Sequence, residues 1–532
     1  MMRYVGTVPK RSSQSLLVID YKRISYLIIQ PVATEHRGRF LFILFTLPEV
    51  CGNPLLATCV VSVNRSVTIE KFNIIIIGGG PGGYTAGIRA ALKGAKVAVV
   101  EVDKLGGVCL NKGCIPSKAL IASAEQYEKM KEAETFGIRL ASPPIYDWLA
   151  MRGRKDKVVG MLVGGIESLF KSHGVAYYKG FGKITGKNQV TVQDENGGET
   201  KLETDNIIIA TGSRAATIPI FPIDGKRILN SDHLLEVPHL PKSILIIGAG
   251  VIGCEWACMM SLLDVQVSLV ELLDHALPLE DKSVADILER ELKKRKVQVF
   301  TKTKVESLAP GPEGVKARLS NGTELNVNQV LVAVGRSFNT DDLGLEEAGV
   351  TLAKNRSIPT GADMRTNVKN IFAIGDVRGE ILLAYTATHD GSVAVDNALG
   401  GKVEKNYSGV PSVIFTHPEV ASVGLTEEKA SEKYEVSIGK FPLRTLGKAH
   451  AINEIAGEVK VIGDKKTDKL LGVHIIGAHA TEIIHTAALA INRGLTVHQL
   501  GSLVFGHPVI AESIMEAAHD LHRMSVHLAK KK

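Results

Sequence analysis

The chain has 532 residues, 45% of them hydrophobic, with 63 Lys and Arg against 56 Asp and Glu and a net charge of +7. That length suggests roughly three to four domains with ample core-forming material. The composition argues against a nucleic-acid binder (no basic stripe with interleaved aromatics), a disulfide scaffold (six cysteines) and a membrane span (no apolar run near ~18 residues).

Much of the positive excess lies at the ends. The first 69 residues hold eight Lys/Arg against three Asp/Glu, and the chain closes on three lysines. Residues 1–70 mix basic residues with apolar patches and sustain no period. They are expected to lie outside the fold, as a start placed upstream of the folded protein. An organelle transit peptide is the second reading and an extra domain the third. Cys51 and Cys59 lack metal-like partners and are expected to be inert.

From residue 72 the pattern becomes definite. The stretch FNIIIIGGGPGGYTAGIRAALKGAKVAVVE reads as strand (74–77), glycine turn, helix (about 82–93) and a second strand ending at Glu101. Gly78, Gly80 and Gly83 fit G-x-G-x-x-G. The first allows a tight turn, the second lets a pyrophosphate reach the backbone, and the third lets helix and strand pack closely. Glu101, 18 residues past Gly83, can accept hydrogen bonds from a ribose diol. A dinucleotide site is expected here.

GGVCLNKGCIPSKAL, residues 106–120, follows directly. Cys109 and Cys114 are close enough in sequence for a small redox disulfide. A helix expected near Ile115, with Pro116 in its first turn, would place Cys114 at a helix N-terminus, where the dipole favours a thiolate. Lys112 is expected to lower a thiol pKa further. Two buried structural cysteines remain an alternative. A zinc half-site does not fit, because zinc prefers two to four intervening residues and a second pair.

Residues 121–170 read as helical and 174–203 as short strands with a turn at 195–198. IIIATGS, 207–213, is a buried strand ending in a small-residue turn that contains Gly212. A second nucleotide unit, 243–271, repeats the pattern with Gly248, Gly250 and Gly253 and ends at Glu271. An acid there repels a 2′-phosphate, so NAD is expected over NADP. Cys254 and Cys258, one helical turn apart, read as packing residues. Residues 291–335 read as strands and turns ending in VLVAVGR, which holds Gly335, and 366–377 places Asp376 after an apolar strand. From 411 the chain reads as an α+β domain with helices at 480–493 and 511–523. It carries two His-Pro pairs, His417 with Glu419 nearby and His507 with Glu512. Either is a minimal general-base pair, and either could be structural.

Taken together, GGGPGG, GGVCLNKGCIPSK, ATGS, GAGVIG, VGRSFNT, AIGD, THPEVASVGLTE and GHPVIAES resemble, in the same order, the motifs of the flavoprotein disulfide reductases, most closely their dihydrolipoamide dehydrogenase branch. The resemblance runs from about 72 to about 525. It implies an α/β fold with two Rossmann-like dinucleotide-binding domains and an α+β C-terminal dimerisation domain. The expected divisions are 71–218 (FAD), 219–340 (NAD), 341–410 (central, completing the FAD site) and 411–532 (interface).

The resemblance also implies roles. The first glycine unit and Glu101 would hold FAD, with Gly212 in its site and Asp376 on its ribityl chain. The second unit with Glu271 and Gly335 would hold NAD. Cys109 would exchange with substrate and Cys114 would face the flavin. Lys118 would pair with Glu255 near the flavin ring. His507 would be the base and Glu512 its orienting partner, lent across a homodimer, which favours His507 over His417. The implied reaction oxidises dihydrolipoyl groups with NAD. Its partners would be lipoyl domains of 2-oxo acid dehydrogenase acyltransferases or a glycine cleavage carrier, with no metal, nucleic acid or membrane. The compartment would be a bacterial cytoplasm, or a mitochondrion or plastid if residues 1–70 are a transit peptide. Glutathione reductase is the nearest alternative, but ELLDHAL after the second nucleotide strand has no Arg or Lys for NADP. The chain departs from the family pattern at Val108, Lys112, Tyr385, Val509 and Ala511.

Overall fold

The computed structural model describes residues 69–529 and four short strands nearer the N-terminus. Those strands form two antiparallel pairs, Gly6–Thr7 with Leu16–Leu17 and Leu41–Thr46 with Leu56–Val61. The chain divides into two compact units, Met1–Ile69 and Glu70–Lys532. The expectation for Cys51 and Cys59 falls outside the described side chains.

The larger unit is built around three large sheets, with a two-stranded and a three-stranded sheet beside them. In the first, Ala176–Lys179, Val97–Glu101, Glu70–Ile77 and the long strand Glu199–Ile209 run parallel, and Ile371–Ala373 joins the far side of Glu199–Ile209. Antiparallel strands Gln189–Gln193 and Phe181–Gly186 extend the other half of that long strand. Ile74 to Ile77 are each at most 3% exposed, as expected of a parallel strand covered on both faces. Residues 370s therefore return to a sheet begun three hundred residues earlier, a pairing that no local pattern encodes.

The second sheet is all parallel, in the order Ile228–Leu229, Gln329–Val332, Ser243–Ile247, Gln266–Val270 and Gln298–Phe300. Its helix Val251–Leu262 is buried from Gly253 to Met260, so it is covered on all sides. The reading of 291–335 as strands and turns needs correcting at its start. Residues 291–294 are the last turn of a helix, Lys282–Lys294. Asp281 caps it by accepting the Ser283 N–H at 3.1 Å, and Val284, Ala285, Leu288 and Leu292 form its buried stripe. The helical reading of 121–170 is likewise interrupted. One helix spans Cys114–Lys131, a second spans Trp148–His173, and Gly137 (φ +76°) turns the chain between them.

Helix Ala384–Ala398 was not expected from its sequence, which contains Thr, Gly and Val. Packing explains it. A Cβ on Gly391 would meet the Gly82 carbonyl at 2.9 Å, and one on Gly82 would meet the Ala387 carbonyl at 2.9 Å. Helix Ala384–Ala398 and helix Pro81–Leu92, which carries Gly82, touch through small residues, and the contact supplies what propensity withholds.

The third sheet is antiparallel, in the order Ser412–Ile414, Val420–Gly424, Leu470–Ile476, Glu458–Asp464 and Val436–Pro442. Helices Ala480–Asn492 and Glu512–Leu521 pack on it. One apolar cluster joins Leu120 and Ile121 of the cysteine helix to Trp256–Met260 and to Ile414, Val420 and Ile476. The cysteine helix is thus seated where the second and third sheets meet.

Candidate active site

A short helix, Gly107–Lys112, carries Cys109, and a new helix begins at Cys114. Only Gly113 separates them. A Cβ at Gly113 would meet the Val108 carbonyl at 3.1 Å, so the chain needs a small residue to fold back this tightly. The next helix opens with Cys114 as its first residue, one position earlier than the sequence pattern suggests, and Pro116 lies in the first turn. Ser117 Oγ donates to the Gly113 carbonyl at 2.7 Å, and Asn111 Nδ2 donates to the Leu105 and Gly107 carbonyls at 3.0 and 2.9 Å.

Cys109 and Cys114 stand as two free thiols joined by a hydrogen bond. Their environments push them apart. Cys114 is exposed, and the hydrogen bond from Cys109, with help from the Lys118 ammonium, brings its thiol down to about 7. Cys109, the donor to Cys114 and itself desolvated, is pushed well above the usual thiol range. Of the two, Cys114 is the one whose surroundings favour the thiolate.

Lys118 lies one turn beyond Cys114. Its Nζ donates to Glu255 Oε1 and Oε2 at 2.8 and 2.7 Å and sits 4.8 Å from the centre of the Phe415 ring. Glu255 is buried and also accepts the Phe415 N–H at 3.0 Å. The expectation for Lys112 fails here. Its ammonium pairs with Asp103 at 2.7 Å, both side chains being about half exposed, and Lys118 is the cation acting on the thiols. An exposed pair of this kind is screened by water and carries little energy.

The two glycine units are near copies. Gly78 has φ +109° and Gly248 φ +96°, conformations that glycine adopts without strain. A Cβ on Gly83 would meet the Gly78 carbonyl at 1.9 Å, and one on Gly253 the Gly248 carbonyl at 1.9 Å, so helix and turn are in backbone contact. Glu101 accepts from the Gly79 and Asp103 N–H groups at 2.6 and 2.8 Å. Glu271 accepts from Ala249 and Leu273 at 2.7 and 2.9 Å. Burial pushes the Glu101 carboxyl up. Each carboxylate still has lone pairs for a ribose diol.

These residues fit two dinucleotides. Helices Pro81–Leu92 and Val251–Leu262 both start after a glycine with no side-chain cap, leaving their first N–H groups to an anion. Gly212 (φ +69°) and Gly335 (φ +125°) leave open space where a Cβ would stand. Asp376, in the turn Gly375–Arg378, accepts from Ser213 Oγ at 2.5 Å and lies 3.6 Å from Arg336 Nε. Arg336 Nε also donates to Ser213 Oγ at 2.6 Å. Ser213 and Arg336 escaped the sequence reading as individual residues. Their signal was present, since both stand in small-residue turns, ATGS and VGR, that end apolar strands.

The two His-Pro pairs diverge. His507 Nδ1 meets Glu512 Oε1 at 2.9 Å, and Glu512 Oε2 accepts the Val509 N–H at 2.9 Å. Burial raises Glu512, but these two contacts outweigh it and leave the carboxyl below its usual range. The His507 side chain is 80% exposed, with Nε2 as its outer nitrogen. His417 is pushed down to about 4 by burial and by Arg295. Its neighbour Glu419 is committed to Thr481, accepting from N and Oγ1 at 2.9 and 2.8 Å. Locally equivalent in sequence, only His507 keeps both a carboxylate partner and access. Cys254 and Cys258 are buried, and Cys258 Sγ accepts the His417 N–H at 3.0 Å, in keeping with packing roles. Among the described residues, no group of three or more His, Cys, Asp or Glu could hold a metal ion. No described helix is long and apolar enough to cross a membrane.

Residues 72–391 match the family described as pyridine nucleotide-disulphide oxidoreductase, and residues 410–518 match that family's dimerisation domain. The chain belongs to the pyridine nucleotide-disulphide oxidoreductases. It is 39% identical to a dihydrolipoyl dehydrogenase of Chlamydia pneumoniae, over 85% of this chain and 98% of that protein. The identity to a dihydrolipoyl dehydrogenase of Bacillus subtilis is also 39%, over 86% and 99%. To a mitochondrial dihydrolipoyl dehydrogenase of Arabidopsis thaliana it is 39%, over 86% and 92%. Among solved structures, LpdA of Mycobacterium tuberculosis superposes with a TM-score of 0.80 at 28% identity, over 85% of this chain and all of that one. The HOCl-induced flavoprotein disulfide reductase RclA of Escherichia coli gives 0.77 at 27% identity, over 85% and 99%. The α/β architecture and the C-terminal dimerisation domain expected from the sequence are those of this family.

Proposed function

We propose that the chain is a dihydrolipoyl dehydrogenase that uses FAD and NAD. The observation that carries this reading is the placement of two free cysteines, Cys109 and Cys114, on either side of Gly113, with the Lys118–Glu255 ion pair one turn beyond Cys114. The names of the bacterial and plant relatives supply the substrate class.

FAD would be held by Gly78, Gly80, Gly83, Glu101, Gly212, Lys118 and Asp376. NAD would be held by Gly248, Gly250, Gly253, Glu271 and Gly335. When bound, the flavin supplies two-electron transfer between the thiol pair and the nicotinamide. Everything else falls to the protein. His507 of the partner subunit, oriented by Glu512, takes the proton of one dihydrolipoyl thiol on Nε2. That thiolate attacks Cys109 Sγ in the Cys109–Cys114 disulfide, and Cys114 departs as a thiolate. Its lowered pKa favours it as the leaving group, which supports attack on Cys109. The second substrate thiol then attacks the mixed disulfide. Cys109 leaves with a proton, and the lipoyl disulfide is released. The reduced pair left behind is a Cys109 thiol and a Cys114 thiolate.

Glu271 supports NAD as the acceptor, since a buried carboxylate bound to two backbone amides would repel a 2′-phosphate. The match to a dimerisation domain and the exposed His507 support a homodimer completing each site. Lipoyl domains of 2-oxo acid dehydrogenase or glycine cleavage complexes are the proposed partners. The bacterial cytoplasm is the proposed compartment and an organelle matrix the alternative.

The test is the purified full chain assayed with NADH and lipoamide against NADPH and glutathione disulfide. NADH-dependent lipoamide reduction is the expected result. Preference for NADPH and glutathione disulfide would overturn the reading in favour of a glutathione reductase.

A further inference from the structure

The turn that carries Asp376 is held from behind by a buried ionic network. Strand Ile371–Ala373 leads through Ile374 to Gly375, whose φ of +70° and closeness to Ala387 (a Cβ would lie 2.9 Å from Ala387 Cβ) admit only glycine. The Gly375 N–H donates to Asp390 Oδ2 at 3.1 Å. The same oxygen accepts Arg378 Nη1 at 2.8 Å, from the far end of the same turn. Asp390 Oδ1 accepts the Tyr407 hydroxyl, which itself accepts from Arg378 Nη1 at 2.8 Å. Arg378 Nε donates to Thr360 Oγ1 at 2.8 Å, and Nη2 pairs with Glu380 at 2.8 Å. The Asp390 and Arg378 side chains are each 2% exposed.

A buried ion pair is expensive to desolvate and seldom adds net stability, so its value is more often in fixing one geometry. Here the geometry is that of four residues. Asp390 grips the first residue of the turn through its N–H and the last through its guanidinium. Asp376 lies between them, its carboxylate directed the other way, to Ser213 and Arg336. We propose that Asp390, locked by Arg378 and Tyr407, is a positioning residue that aims Asp376 at the sugar-alcohol chain of the flavin. This rests on the flavin reading above and extends it to residues that would not touch the cofactor.

The experiment is titration of full-length apoprotein with FAD, followed by flavin fluorescence and visible circular dichroism, well below the unfolding temperature. The variants are Asp390→Asn and Tyr407→Phe. Asp390→Asn should raise the FAD Kd at least about tenfold, or about 1.4 kcal/mol, and Tyr407→Phe about threefold. NADH affinity should be unchanged in both, which a general loss of structure would not allow. If Asp390→Asn does not fold, Tyr407→Phe decides alone, since it removes one hydroxyl from a half-buried ring. An FAD Kd within about twofold of the native chain in the folded variants would overturn the inference alone. A native chain that takes up no FAD would overturn it together with the flavin reading.

Discussion

In both nucleotide units a buried glutamate accepts one backbone N–H from the glycine turn and one from two residues beyond itself, with all four distances between 2.6 and 2.9 Å. Their surroundings differ. The first turn is walled in. A Cβ on Gly79 would meet Leu105 Cδ2 at 2.8 Å, one on Gly107 would meet Gly80 Cα at 2.7 Å, and the helix itself lies against Ala384–Ala398 through Gly82. Arg89 and Lys93 fasten that contact to Asp396 at 2.9 and 2.8 Å. The second turn has alanine where the first has Gly79, and a Cβ on Gly250 would meet nothing within 4 Å. The same local motif thus yields an enclosed cradle and an open one. That suits a flavin kept through turnover and a pyridine nucleotide that must come and go.

The sharpest way to break this comparison is to spoil the third glycine of each unit. Both Gly83→Ala and Gly253→Ala force a Cβ into a carbonyl oxygen, an overpacking worth ~1–3 kcal/mol. Gly83→Ala should purify without flavin and unfold at lower temperature. Gly253→Ala should keep its yellow colour while the KM for NADH rises at least about tenfold. Flavin loss from both would show that the two cradles are not independent.

Glu271→Arg addresses the open cradle alone. It should reverse the ratio of kcat/KM for NADH over NADPH by about tenfold or more, with flavin content unchanged. An unaltered ratio would remove Glu271 from coenzyme selection.

The thiols lie between the units, and two lysines connect them to opposite sides. Lys118 is tied to Glu255 on the second glycine helix, and Lys112 to Asp103 beside the first. Cys114 titrates at about 7, below the ordinary value of 9.0, so its thiolate is present above that pH and lost on acidification through it. Alkylation of the reduced pair by iodoacetamide should accordingly rise with a midpoint near 7. Lys118→Gln should move that midpoint upward by about one pH unit, since it removes the cation and keeps a donor for Glu255. The smallest effect is expected from Lys112→Val, which breaks only an exposed pair of ~0–1 kcal/mol. It should leave the alkylation midpoint in place. A shift as large as that of Lys118→Gln would restore Lys112 to the role its sequence position suggests.

Much of the molecule was legible along the chain because glycine turns, apolar strands and a cysteine pair are local devices. The strand–turn–helix units, the Cys109–Cys114 stretch and the acids Glu101 and Glu271 each follow from neighbours within about thirty residues. Helix Lys282–Lys294 is equally local, with a capping Asp281 and an apolar stripe, and its last turn runs straight into the strands that follow. Other features were beyond any local pattern. Helix Ala384–Ala398 exists because small residues let it approach Pro81–Leu92. The pairing of Lys112 with Asp103, and of Lys118 with Glu255 137 residues away, was settled by side-chain geometry. The choice between His507 and His417 turned on burial, which left one exposed beside its carboxylate and drove the other to about 4. Sequence alone determined which groups are present and how most segments fold on themselves, because backbone conformation and hydrophobic period are largely set by near neighbours. Which charges meet, which titrate and which reach solvent depends on distance and desolvation, and only the tertiary structure sets those.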